Sequence, residues 1–62
     1  MSAQHPPVVL VIDDEAQIRR FLRAGLELDG YTVHEAESGQ TGLRIATMRS
    51  IDLVILDLAM PD

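Results

Sequence analysis

At 62 residues the chain has room for one small domain, below the commonest domain size of about 100–150 residues. It has no cysteine, so neither disulfides nor thiolate metal sites can brace a core that is marginal at this length. Ten Asp and Glu against five Arg and no Lys leave a net charge of −5, which argues against a nucleic-acid footprint and suits a cation or a basic partner.

Hydrophobic residues make up 47% and charged residues 24%, a globular balance that argues against intrinsic disorder. The longest apolar runs are far too short to span a bilayer. The opening MSAQHPP has neither the positive nor the apolar part of a secretory signal. A soluble, cytoplasmic protein is the expectation.

Residues 1–7 are polar, end in a double proline and read as a disordered or extended leader. Val8–Ile12 (VVLVI) is a mostly β-branched run without alternation, as in a central parallel strand covered on both faces. It stops at Asp13, Asp14 and Glu15. From Ala16 to Leu28 the period becomes helical, with Ile18, Phe21, Leu22, Gly25 and Leu26 on one side. Asp14 and Gln17 have the spacing of a capping box, and Gly30 that of a C-terminal stop. Gly25, unfavourable inside a helix, predicts a close approach by another element.

Tyr31–Ala36 (YTVHEA) carries polar residues on both parities and predicts an edge strand. Ser38 is the natural N-cap of a second helix running to Arg49, with Leu43, Ile45 and Ala46 as a weaker apolar stripe. Ile51–Leu56 (IDLVIL) is a second buried run, and it too ends in an acid, Asp57. Pro61 then forces a turn. The pattern is strand–helix–strand–helix–strand with short links, which implies an α/β fold with a parallel sheet and right-handed crossovers.

The chemistry gathers at strand ends. In parallel α/β sheets, ligands bind outside the carboxyl ends of the strands, where strand order reverses. If the first and third strands are neighbours, Asp13, Asp14 and Asp57 converge at one rim. Such a cluster either keeps a proton or takes a divalent cation. An oxygen-only donor set favours Mg²⁺ over Zn²⁺. Taken singly, each acid is equally at home as a strand-end or capping residue.

VLVIDDE, DGY and LVILDLAMP together resemble the first half of a response-regulator receiver domain, the phospho-acceptor module of two-component signalling. The resemblance covers about Val8 to Pro61. It implies a truncated, flavodoxin-like receiver half, β-α-β-α-β, with parallel strands in order 2-1-3 and residues 8–62 forming a partial receiver domain. It further implies that Asp57 accepts a phosphoryl group from a sensor histidine kinase. Asp14 would ligate Mg²⁺ directly, Asp13 mainly through water, and Asp57 and the backbone carbonyl of Ala59 would complete the protein's share. The stretch IRRFLRAGLELDGY is similar to the potassium-responsive branch of winged-helix transcription regulators.

The family pattern also includes a Ser or Thr after a fourth strand and a Lys after a fifth, and neither lies within this sequence. A low or undetectable rate of phosphotransfer is therefore expected of these residues alone. A rival expectation is a self-associating structural half-domain with no phosphotransfer activity. With order 2-1-3, Ile51–Leu56 becomes an apolar edge, so a homodimer or larger assembly is expected. A phosphohydrolase with an Asp nucleophile would need a second Asp two residues on, where Ala59 stands. His5 and His34 read as leader and edge-strand residues. Arg19, Arg20 and Arg23 form either a docking stripe for the kinase or a solvated helix face.

Overall fold

The computed structural model describes residues 5–57. Five elements alternate in chain order: β1 (Val8–Ile12), α1 (Ala16–Leu28), β2 (Thr32–Ala36), α2 (Gly39–Met48) and β3 (Leu53–Leu56). The strands form one parallel sheet in the order β2-β1-β3. Val8 pairs with Thr32 and Ile12 with Ala36 on one side, while Val9 pairs with Leu53 and Ile12 with Leu56 on the other. The sequence-based architecture and strand order are those observed.

The unbroken apolar run of β1 follows from its central place. Val9, Leu10 and Val11 are all but inaccessible. Alternate residues serve opposite faces. Val9 and Val11 join Val33 beneath Leu22 and Leu26 of α1, with Tyr31 and Ile55 at the margin. Leu10 and Ile12 join Ala36 on the other face, with Ile45 of α2 and Ile51. Crossovers of one hand, first to one side of β1 and then to the other, put the helices on opposite faces. Each fully buried Val or Leu contributes about 1.5–3 kcal/mol of transfer free energy.

The helix ends show which local signals held. At the end of α1, Gly30 has φ 94°, a conformation that favours glycine. Its N–H donates to the Glu27 carbonyl at 3.0 Å, and the Tyr31 N–H donates to that of Leu26 at 3.1 Å. These two bonds make a Schellman stop. Ser38 caps α2 as expected, its Oγ accepting from the Thr41 N–H at 3.2 Å. The Asp14–Gln17 capping box does not form. The N-cap of α1 is Glu15, without a side-chain cap bond, and the turn is closed instead by the Asp13 carboxylate, which accepts from the Glu15 N–H at 2.9 Å.

The tight glycine is also a different one. A Cβ on Gly25 would meet nothing within 4 Å, whereas one on Gly42 would run into Cδ1 of Ile12 and lie 2.9 Å from its Cγ1. Gly42 is the residue that lets α2 settle on the sheet. Leu43 and Ala46, expected to face the core, are exposed, and Ile45 with Gly42 makes the contact.

The third strand is shorter than the run that predicted it. Asp52 precedes it and grips the start of β1 twice. Its N–H donates to the Val8 carbonyl at 2.8 Å, and its carboxylate accepts from the Val8 N–H at 2.7 Å. Leu53, Val54 and Leu56 remain about half exposed, because among the described residues nothing lies beyond β3. No helix among the described residues is long and apolar enough to cross a membrane.

Candidate functional site

The sheet brings three acids to one rim. Asp13 follows β1 and Asp57 follows β3, and because the strands are parallel and adjacent their carboxyl ends coincide. The ladder continues past both ends. The Asp57 N–H donates to the Ile12 carbonyl at 3.1 Å, and the Asp13 N–H donates to that of Ala36 at 3.1 Å. Backbone bonds therefore fix where the two side chains start. Carboxylate oxygens of Asp13, Asp14 and Asp57 all lie within 4.8 Å of one another.

The three are not equivalent. Asp13 is 6% exposed, Asp57 half-buried and Asp14 exposed. An open cleft of about 360 Å³ lies against Asp13 and Asp57, with Ile18, Leu22 and Ile55 among its apolar walls. Beneath the acids the surface is apolar, which concentrates their field on whatever enters from solvent. The donor set is oxygen-only and holds no nitrogen or sulfur, the chemistry that fits a hard divalent cation such as Mg²⁺. Ala59, expected to add a backbone carbonyl, lies outside the described residues.

A charged network stands behind the acids. Arg19 on α1 donates from Nη1 to the Asp13 carbonyl at 2.7 Å and from Nε to Glu35 of β2 at 3.0 Å. Arg23, one turn on, donates from Nη1 to the other Glu35 oxygen at 2.9 Å and from Nε to Glu27 at 3.0 Å. The bond from Arg23, followed by that from Arg19, holds the Glu35 carboxyl below the usual carboxylate range, with partial burial opposing. The same bond from Glu35, with help from Glu27, raises Arg23.

Two of the three arginines read from the sequence as one stripe are thus engaged in ion pairs, and Arg20 stands exposed. Arg19 was missed as a neighbour of the acidic turn. The available signal was its spacing, one helical turn after Glu15 and close to the site in sequence. Its partner Glu35, on another strand, carried no such signal. His34 lies on β2, partly buried, and His5 is exposed ahead of β1. Neither is among the acids at the rim.

Known proteins resemble this chain over most of its length. The chain is 57% identical over 54 residues to the KDP operon transcriptional regulatory protein KdpE of Escherichia coli, a match covering 87% of this chain and 24% of that protein. It is 47% identical over 61 residues to the transcriptional regulatory protein ResD of Bacillus subtilis, covering 98% of this chain and 25% of that one. The chain therefore spans about a quarter of the length of these curated relatives. A crystal structure of a response regulator receiver domain protein from Clostridium thermocellum superposes with a TM-score of 0.84 at 46% identity, over 90% of this chain and 46% of that one. The resemblance to the KdpE branch is supported by the first of these relatives and by a Mycobacterium tuberculosis KdpE that is 53% identical over 55 residues, covering 89% of this chain and 24% of that one. A family model for the response regulator receiver domain matches residues 9–62, and the chain belongs to that family.

Proposed function

We propose that this chain is the phospho-accepting part of a two-component transcription regulator, with Asp57 as the acceptor for a phosphoryl group from a sensor histidine kinase. The observation that carries the reading is the convergence of Asp13, Asp14 and Asp57, oxygens within 4.8 Å, at the carboxyl ends of β1 and β3. Asp13, Asp14 and Asp57, with the backbone carbonyl of Ala59, would hold Mg²⁺. When bound, the ion would supply positive charge against the phosphoryl oxygens.

The chain's own contribution is positional. Asp57 sits where the β1–β3 ladder ends, so it is anchored at its N–H and reachable from the cleft. In the transfer its carboxylate oxygen forms the new O–P bond as the P–N bond of phosphohistidine breaks, the electron pair returning to the ring nitrogen. The chain is an acceptor in this reading and not an enzyme that turns over a substrate. Its place would be the cytoplasm, where it meets the kinase.

The self-associating half-domain is not favoured. The matched relatives and the solved receiver extend well beyond the portion this chain spans. We read the open flank of β3 as the surface that the further part of such a receiver covers. Pairing of two copies through β3 has no support in the comparisons.

Incubation with a small acyl-phosphate donor and Mg²⁺, followed by intact mass and peptide mapping, tests the proposal. Slow addition of one phosphoryl group, confined to Asp57 and lost in Asp57→Asn, is expected. Equal labelling of Asp57→Asn would overturn it. Millimolar Mg²⁺ should also raise the thermal midpoint relative to chelator, because a ligand that binds only the native state stabilises it. Asp14→Ala should abolish that difference.

A further inference from the structure

We infer that Arg19 is a positioning residue for the acidic site, orienting the Asp13–Asp14 peptide through its bond to the Asp13 carbonyl. The inference rests on the proposed function, since the site it serves is the one proposed for Mg²⁺.

The Asp13 carbonyl and the Asp14 N–H belong to one rigid peptide plane. A turn of that plane about ψ of Asp13 leaves the Asp13 side chain in place but, unless φ of Asp14 fully compensates, carries Asp14 with it and so changes the offset between the two carboxylates. The Asp13 N–H is already fixed to the Ala36 carbonyl, and one carboxylate oxygen is fixed to the Glu15 N–H. The carbonyl is the remaining handle. Arg19 Nη1 holds it at 2.7 Å.

Arg19 can hold it firmly because it is itself held. Its side chain is only 16% exposed, and its Nε is tied to Glu35 at 3.0 Å. A guanidinium is a planar fork with fixed donor directions, so anchoring one donor sets the other. Arg19 and Arg23 take different oxygens of Glu35, so the bond that holds Arg19 does not run through Arg23. The path runs from β2 through Arg19 to the turn after β1, linking both neighbours of the site to one rigid pair. Without Arg19 the carbonyl of a nearly buried residue would lack this donor and would rotate to find another.

Charge and position make opposite demands on the experiment. By Coulomb's law, removing a cation beside three carboxylates tightens Mg²⁺ binding. Loss of orientation weakens it, and groups that orient metal ligands typically account for 10–100-fold in affinity. Arg23 supplies the control, because it shares Glu35 but makes no bond to Asp13.

Mg²⁺ titrations of the chain, Arg19→Gln, Arg19→Lys and Arg23→Gln, followed by amide NMR with the folded fraction checked by circular dichroism, separate the cases. Arg19→Gln should weaken binding at least about tenfold while Arg23→Gln stays within about twofold of the parent or binds more tightly. Arg19→Lys keeps the charge without the fork and should restore only part of the affinity. It also takes over as the test should Arg19→Gln fail to fold. Unchanged or tighter binding by folded Arg19→Gln would overturn the inference, as would equal weakening by Arg23→Gln. Amide exchange at Glu15 without metal gives a second readout, expected to quicken in Arg19→Gln and not in Arg23→Gln. If the parent binds no Mg²⁺, the proposed site falls, and the Glu15 exchange alone decides the role of Arg19.

Discussion

Strands β2 and β3 lie on either side of β1 and run parallel to it, and they differ in what they turn outward. β2 presents Thr32, His34 and Glu35 at its accessible positions while burying Val33 and Ala36. Its one acid is neutralised by two arginines from α1. β3 has no such polar trim. Leu53, Val54 and Leu56 are about half exposed, and only Ile55 contributes to a core cluster. An outer strand of the first kind is finished, because its outward groups are content in water. One of the second kind has the composition of an interior strand. The difference agrees with the comparisons, in which this chain covers 46% of a solved receiver.

The largest test sets equal truncations on the two strands. Val33→Ala should destabilise the chain by about 2 kcal/mol, through lost transfer energy and a residual cavity. That is a large share of the few kcal/mol expected for a chain this short. Val54→Ala, at a half-exposed site, should lie within about 0.5 kcal/mol of the parent. Urea unfolding followed by circular dichroism reads both. Equal losses would mean that β3 is covered in solution.

The two helices sharpen the contrast at smaller scale. Gly42→Ala drives a methyl group into Ile12, and overpacking should outweigh the gain in helix propensity by about 1 kcal/mol net. Gly25→Ala meets open space and should stabilise by about 0.5–1 kcal/mol. Thermal midpoints moving in opposite directions would confirm that α2, and not α1, makes the close approach. A rise at both would show that Ile12 simply turns aside.

The smallest expected effect concerns the finish of β2. Glu35→Gln should cost about 0.5–1 kcal/mol at neutral pH, the range of a partly exposed ion pair. The arginines hold the Glu35 carboxyl below its ordinary value of about 4.3. Its contribution is therefore fully present above that value and disappears as pH falls through the lower, folded-state value. The gap between parent and Glu35→Gln should close in acid. A gap that is unchanged between neutral pH and acid would show that the charge plays no part.

Much of this molecule could be read without coordinates, because the relevant signals are local. The all-apolar VVLVI, the helical spacing from Ile18 to Leu26, the glycine stop at Gly30 and the Ser38 cap depend on backbone sterics and near-neighbour bonds. Asp13, Asp14 and Asp57 were legible as site candidates because parallel strands of an α/β sheet put their carboxyl ends on one rim. What failed were readings that needed a distant partner. Asp14 had the spacing of a cap, yet Asp13 took the Glu15 N–H. Gly25 looked like the close contact, yet Ile12 meets Gly42. Arg19 read as surface charge, yet Glu35, 16 positions away, turns it toward the Asp13 carbonyl. Sequence spacing sets which side of an element a residue occupies. Which side chain meets it there depends on how α1, β2 and α2 settle on β1, and only the assembled sheet decides that.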